Sequence, residues 1–167
     1  MTPLCALLRS YHGWIPASSD LAQSEIMTEA AGLLWNLCEA SPTAVGVYNR
    51  EGITALLINL LSSASSSVDL RLALLQVLYT ATEDNPAAAE AVRAAAGTLE
   101  AELTFNQAEE QTPASAYIRV LCAGILLNAA ASAEEEQGQS LWPVAVTVIE
   151  QCLQQDQRKM VTTVVTD

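Results

Sequence analysis

The chain repeats one pattern of segments, and this internal repeat constrains its fold more than any other feature. A long apolar segment is followed by a Ser-Pro or Asn-Pro pair, a short segment, a glycine and a further apolar segment. An offset of 44 residues places Pro42 on Pro86, and Gly52 then falls one residue away from Gly97. One such unit cannot bury its apolar side alone, so the copies are expected to stack on each other.

Within the first copy, the apolar residues follow helical spacing. They recur at intervals of three and four residues and predict an amphipathic helix from Ser24 to about Ala40: Ile26, Ala30, Leu33, Leu34 and Leu37. Ser41 is an N-cap residue with proline at the first helical position, and it starts a short helix that Gly52 closes. A third helix is predicted over 53–61, followed by a loop over 62–67.

The later copies follow the same order. The second has a long helix over 68–82, the Asn85-Pro86 start, Gly97 as the end of the short helix, and a third helix over 98–105. The last copy begins at Thr112-Pro113 and has its long helix over 114–131, in which GILLN resembles GLLWN of the first, with Gly124 at the position of Gly32. A final apolar helix is predicted over 142–153.

These units predict an all-α fold, an armadillo/HEAT-type right-handed α-solenoid of about three repeats. The repeats are expected to span residues 24–155. Residues 1–23 are interpreted as a weakly ordered segment that admits one short helix around 3–10. Residues 156–167 are interpreted as a frayed tail.

Charge and cysteine content indicate the environment and the partners. The chain has 7 Lys and Arg against 19 Asp and Glu, a net charge of −12, which repels nucleic acid and anionic membranes and favours basic proteins. The alternative is that the acidic charge only maintains solubility. No stretch reads as long and apolar enough to span a bilayer. The four cysteines form no C-x-x-C pair, so we expect no metal and no cofactor. Cys38 and Cys122 lie inside apolar helical runs, where free cysteine behaves as a small hydrophobe, which indicates a reducing, intracellular compartment.

Catalysis has little support in the sequence, so the chain is predicted not to be an enzyme. It contains no G-x-S-x-G, Walker or H-E-x-x-H motif. The single histidine, His12, could pair only with Cys5, and no third group that would orient such a pair is apparent.

Two asparagines inside apolar long helices are the first candidates for binding. Asn36 and Asn128 occupy one repeat position, and Thr80 occupies it in the middle copy. In armadillo proteins, the third helix of each repeat lines a groove where asparagines bind the backbone of an extended peptide. The alternative is that each asparagine bonds the backbone of a neighbouring repeat.

Aromatic and acidic residues flank these positions. Trp35 and Tyr79 share a repeat position and could pack on the stem of a partner's Lys or Arg, although core packing is the alternative. Glu39 and Glu83 end the long helices, where acidic groups are electrostatically disfavoured unless a partner's positive charge relieves them. Asp84 either joins them or caps the next helix.

Two acidic clusters lie in predicted loops. They are Glu109-Glu110 and Glu134–Glu136. Such runs are most often only solvated, but these two lie near the same repeat and are a candidate patch for a basic partner.

Three strings carry a family resemblance over roughly residues 24–130: LLWNLCE, the N-x-E-G turn ending at Gly52, and the TEDNP turn ending at Pro86. They resemble the C-terminal half of the symportin-type HEAT/armadillo adaptors. The resemblance implies binding of basic 5S-associated ribosomal proteins and their escort to the nucleus with an importin. A whole symportin is several times longer, which suggests a partial or alternatively spliced product.

The leading hypothesis is therefore an adaptor or chaperone module for basic cargo, acting in the cytoplasm and nucleus in ribosome biogenesis. One alternative is a structural piece of a longer solenoid that has no ligand, or that dimerises through its exposed ends. Another is a different armadillo cofactor, such as an Hsp70 nucleotide-exchange factor.

Overall fold

The chain folds into helices joined by short turns. The computed structural model describes residues 2–12, 21–63, 67–108, 112–132, 142–143, 145–147 and 149–150. These residues contain no strand and form eight helices before residue 132: α1 Thr2–His12, α2 Leu21–Ala40, α3 Pro42–Arg50, α4 Ile53–Ser63, α5 Val68–Thr82, α6 Pro86–Ala94, α7 Ala96–Ala108 and α8 Pro113–Ala131. The three pieces after residue 141 are also helical. The acidic clusters and the predicted tail lie outside the described residues.

The predicted cap-proline starts are confirmed. Helices α3, α6 and α8 each begin with proline directly after the N-cap residue. Asn85 Oδ1 accepts a hydrogen bond from the Ala88 amide at 3.3 Å, and Thr112 Oγ1 accepts one from the Ser115 amide at 3.1 Å. These side chains satisfy amides that have no partner inside the helix. The N-cap of α6 is therefore Asn85 and not Asp84.

The glycine that follows each short helix has a different role in the two copies. Gly52 has a φ of +64°, a left-handed conformation that favours glycine, and it lies between α3 and α4 as predicted. The prediction that Gly97 ends α6 is wrong. Ala95 follows the last residue of α6 without a positive φ, and α7 begins at Ala96. Gly97 therefore lies in the first turn of α7.

The helices form two packed layers. The long helices α2, α5 and α8 lie side by side, and α1, α4 and α7 form the second layer behind them. The short helices connect the layers: α3 packs on α2 and α4, and α6 packs on α4, α5 and α8. This arrangement confirms the predicted helical solenoid.

One continuous core runs through all the copies. It is built almost entirely from aliphatic and alanine side chains of both layers, with Tyr48 fully buried among them. Arg71 and Arg119, which share a repeat position with Met27, are also buried. Arg71 Nε lies 3.7 Å from a carboxylate oxygen of Glu102, so this buried carboxylate faces an opposite charge.

Helix α8 contradicts the expectation that no segment could span a membrane. By length and composition alone, Pro113–Ala131 is apolar enough to do so. However, 56% of that segment is buried inside the fold, and it contains the buried Arg119. Its apolar composition follows from its place in the stack, because α5, α6 and α7 all pack against it.

Candidate protein-binding site

The predicted groove residues lie on the three neighbouring long helices or directly after them, and we call the exposed surface of this layer the long-helix face. Residues at equivalent repeat positions form rows across this face. The three rows that contain the predicted residues are Trp35, Tyr79 and Leu127; Asn36, Thr80 and Asn128; and Glu39, Glu83 and Ala131. Asn36, Glu39, Tyr79 and Glu83 are exposed, whereas Trp35, Thr80 and Asn128 are partly buried in contacts between successive long helices.

The two repeated aromatic residues have different environments. Trp35 is half-buried against the core, and its Nε1 donates a hydrogen bond to Thr80 Oγ1 at 3.0 Å. Tyr79 is 41% exposed. The tryptophan therefore joins α2 to α5, whereas the tyrosine ring lies against Gly124 of α8 and keeps an exposed surface.

The two repeated asparagines also differ. Asn128 Nδ2 donates to the Tyr79 carbonyl and to Thr82 Oγ1, both at 3.3 Å. This is the contact with a neighbouring repeat that the sequence left open as an alternative. Asn36 is exposed and makes no side-chain hydrogen bond within the described part of the chain. Binding of a peptide backbone by either asparagine stays a prediction.

The exposed charges on the long helices and their ends are all acidic among the described residues. Six carboxylates are exposed there: Glu25, Glu29, Glu39, Asp69, Glu83 and Asp84. The two arginines of the long helices, Arg71 and Arg119, are buried. Elsewhere, Arg9 pairs with Glu51 at 2.9 Å, and Arg93 donates to the Ala129 carbonyl at 2.9 Å. The exposed charge of the long helices themselves is thus negative, and the exposed Arg50 belongs to the neighbouring α3.

Two exposed side chains of α8 were not predicted from the sequence. Tyr117 and Val120 of α8 are 46% and 48% exposed. Extending the repeat alignment would have found them, since Tyr117 shares its position with Glu25 and Asp69. A row of two carboxylates and one aromatic ring suits a lysine or arginine side chain, which has an apolar stem and a charged end.

Three of the four cysteines lie in the described part of the chain, and they are core residues. Cys5, Cys38 and Cys122 are buried free thiols. Burial raises the pKa of all three, that of Cys38 to about 11. These thiols therefore stay protonated near neutral pH, whereas nucleophilic attack requires the thiolate. His12 belongs to α1, and its side chain lies outside the described set. The described residues contain no group of three or more His, Cys, Asp or Glu that could hold a metal ion.

Known proteins share part of this sequence. The chain is 36% identical to HEAT repeat-containing protein 3 of Mus musculus and 34% identical to that of Homo sapiens. Each match covers 52% of this chain and 14% of the relative, so the chain corresponds to a small part of those proteins. The fold is a HEAT-type α-solenoid. No family model and no solved structure matches the solenoid.

Proposed function

We propose that this solenoid is a non-enzymatic adaptor or chaperone module that binds basic protein segments on its long-helix face. One observation carries the proposal: the exposed charges on the long helices and their ends are acidic, and the arginines of those helices are buried. A surface with one sign of charge attracts partners of the opposite sign and speeds their association.

The contacts on this face suit lysine and arginine in particular. The exposed rings of Tyr79 and Tyr117 can accept a cation over their faces, a contact worth about 0.5–1 kcal/mol at an exposed site. Glu39 and Glu83 share a repeat position. Each follows the aromatic residue of its own copy, Trp35 or Tyr79, by four residues. A basic segment lying across the three helices would meet carboxylates and rings in turn.

The cargo is a narrower part of the proposal. The similarity to HEAT repeat-containing protein 3 supports a repeat protein that acts through binding. The resemblance of this chain to the symportin-type adaptors suggests 5S-associated ribosomal proteins as cargo and an importin as carrier, with the module in the cytoplasm and nucleus. The positive charge of such cargo is complementary to the net charge of −12 on this chain.

Fluorescence anisotropy with a labelled peptide of alternating lysine and glycine tests the binding surface. We expect saturable binding that weakens steeply between about 50 and 300 mM salt, because salt screens the attraction between exposed charges. The double variant Glu39→Gln/Glu83→Gln is expected to raise Kd by about twofold to thirtyfold, because each exposed ion pair is worth about 0.2–1 kcal/mol.

A matched control removes the same charge elsewhere. Glu90 of α6 and Glu150 are exposed and do not belong to the long helices. Glu90→Gln/Glu150→Gln should change Kd far less. Equal effects of the two double variants would contradict a specific surface and leave only net charge. The ribosomal cargo is tested separately by pull-down with the two 5S-associated proteins at low salt, where no capture would reject that assignment.

A further inference from the structure

The first long helix exposes a stripe whose equivalents in the other two long helices are buried or partly buried. In α5, Leu70, Ala73 and Val77 lie on the stripe of Thr80, which faces α2 through the Trp35 bond. In α8, the stripe of Asn128 faces α5 in the same way. The equivalent residues of α2, which we call the α2 outer stripe, are all exposed: Ile26, Glu29, Leu33 and Asn36.

The exposure of the apolar members shows how large this difference is. Ile26 is 54% exposed, whereas its equivalents Leu70 and Ile118 are 3% and 1% exposed. Leu33 is 53% exposed, and its equivalents, Val77 and Ile125, are fully buried. A long helix packs against this stripe in α5 and α8, so the α2 outer stripe has the shape and spacing of a helix-binding surface without such a helix among the described residues.

A glycine beside the stripe indicates which side chain a docked helix would place there. Gly124 of α8 lies under the Tyr79 ring of the helix before it, so that a Cβ atom at position 124 would be 2.6 Å from Tyr79 Cε2. Gly32 occupies the same repeat position, and a Cβ atom there would meet nothing within 4 Å. The surface at Gly32 can therefore accept an aromatic ring as the surface at Gly124 does.

The polar members add two requirements. Asn128 donates to a backbone carbonyl and a hydroxyl near the end of α5, so its equivalent, Asn36, is placed to meet the last turn of a helix on the stripe. Glu29 stands where the second and third copies have the buried Ala73 and Leu121. A carboxylate covered by a helix needs an opposite charge from that helix.

Charge favours a helix of a partner protein over a second copy of this chain as the occupant of the α2 outer stripe. A second copy of the chain packing α2 on α2 would add its own Glu29 to the contact, supply no lysine or arginine from α2, and bring together two molecules of net charge −12. Like charges at such a contact oppose association. We propose that the α2 outer stripe docks an amphipathic helix of a partner protein, with an aromatic side chain opposite Gly32 and a lysine or arginine opposite Glu29.

The probe for this docking is a helical peptide based on α5, which occupies the corresponding place against α8. It is an amidated, fluorescein-labelled peptide of residues 67–82 that retains Tyr79 and carries Gln76→Lys, three residues before Tyr79 as Glu29 is three residues before Gly32. Leu70→Lys, Ala73→Lys and Val77→Lys make its opposite, α2-facing stripe polar. We expect saturable binding to the whole chain. A Tyr79→Ala version of the peptide should bind at least tenfold more weakly.

Variants of the chain locate the binding. Gly32→Ala places a methyl group where the ring is expected and should raise Kd at least tenfold, as should Leu33→Lys or Ile26→Lys. Gly46→Ala is the control, since Gly46 of α3 also has open space around it. Because all these positions are exposed or open, thermal unfolding should show folded variants. The Glu39→Gln/Glu83→Gln variant should retain docking of this helix better than binding of the lysine–glycine peptide, which separates the two surfaces.

Three results would overturn the docking proposal. The first is no saturable binding of the probe to the unaltered chain. The second is unchanged binding to the Gly32→Ala variant, which would place the peptide elsewhere, including in exchange for α5 itself. The third is a dimer in sedimentation equilibrium that Leu33→Lys dissolves, which would assign the stripe to a second copy.

Discussion

The Tyr79 ring lies against Gly124, so closely that a Cβ atom at position 124 would be 2.6 Å from the Cε2 atom of the ring. The same two helices are joined by the bond from Asn128 to the Tyr79 carbonyl. Tyr79 therefore contacts the third copy through both its backbone and its side chain, and the glycine is required for the close approach.

This contact predicts opposite effects of one substitution at two equivalent positions. Alanine in a helix interior is favoured over glycine by about 0.5–1 kcal/mol. Gly32→Ala should raise the free energy of unfolding by that amount, since the new methyl group meets nothing within 4 Å. Gly124→Ala should give no such gain in the free energy of unfolding or should lower it, because the Tyr79 ring must move. Urea unfolding of the two variants measures the difference, and equal changes in the free energy of unfolding would contradict the contact.

The N-cap of α6 predicts a second asymmetry. Asn85 is buried, accepts a hydrogen bond from the Ala88 amide, donates to the Ala81 carbonyl at 2.6 Å and forms a reciprocal amide pair with Asn49. Asn85→Ala removes the cap and leaves buried groups without partners, so we expect a loss of about 2–4 kcal/mol. Asn49→Ala removes only the pair, with an expected loss of about 1 kcal/mol. Unfolding by urea compares them, and a larger loss for Asn49→Ala would contradict this assignment.

The buried thiols predict that stability falls at alkaline pH. Burial raises the pKa of Cys38 from 9.0 to about 11, so the unfolded state releases this proton at lower pH than the folded state does. The stabilisation from the raised pKa is fully present below pH 9 and is lost as the pH rises toward 11, at about 1.4 kcal/mol per pH unit for this group. Burial also raises the pKa of Tyr48 from its ordinary value of 10.0, which extends the loss to higher pH.

Urea unfolding across the alkaline range, from about pH 8 to about pH 11, measures this dependence. Cys38→Ala should be less stable at the lower end of the range, because a buried side chain is truncated, but its stability should fall less steeply as the pH rises. Parallel curves for the variant and the unaltered chain would show that Cys38 does not contribute.

Much of the fold was predictable because its determinants are local. The Asn85-Pro86 and Thr112-Pro113 pairs specify helix starts by their own chemistry, and the structure has them there. The predicted long helices were also found, since apolar residues at helical spacing bury one side of a helix in any stack. Their bounds shifted by a few residues, as with α2, which begins at Leu21.

The remaining features depend on neighbours in space. Gly32 and Gly124 lie in nearly identical strings, but only Gly124 has a ring against it, because α8 has a long helix on that side and α2 has none there among the described residues. Asn49 and Asn85 are 36 residues apart, and no spacing rule predicts their amide pair. The acidic long-helix face was only partly predicted, since the burial of Arg71 and Arg119 removes positive charge that the sequence alone leaves on those helices.

The most direct test of the proposed binding face is to observe where a basic segment contacts the solenoid. Amide NMR spectra of the ¹⁵N-labelled chain, recorded during titration with the lysine–glycine peptide at low salt, give that location. The proposal predicts that the largest shift changes fall on α2, α5 and α8, at Glu39, Tyr79, Glu83 and Tyr117, and that they disappear at high salt. Shift changes centred on α1, α4 and α7, or no changes at saturating peptide, would contradict it.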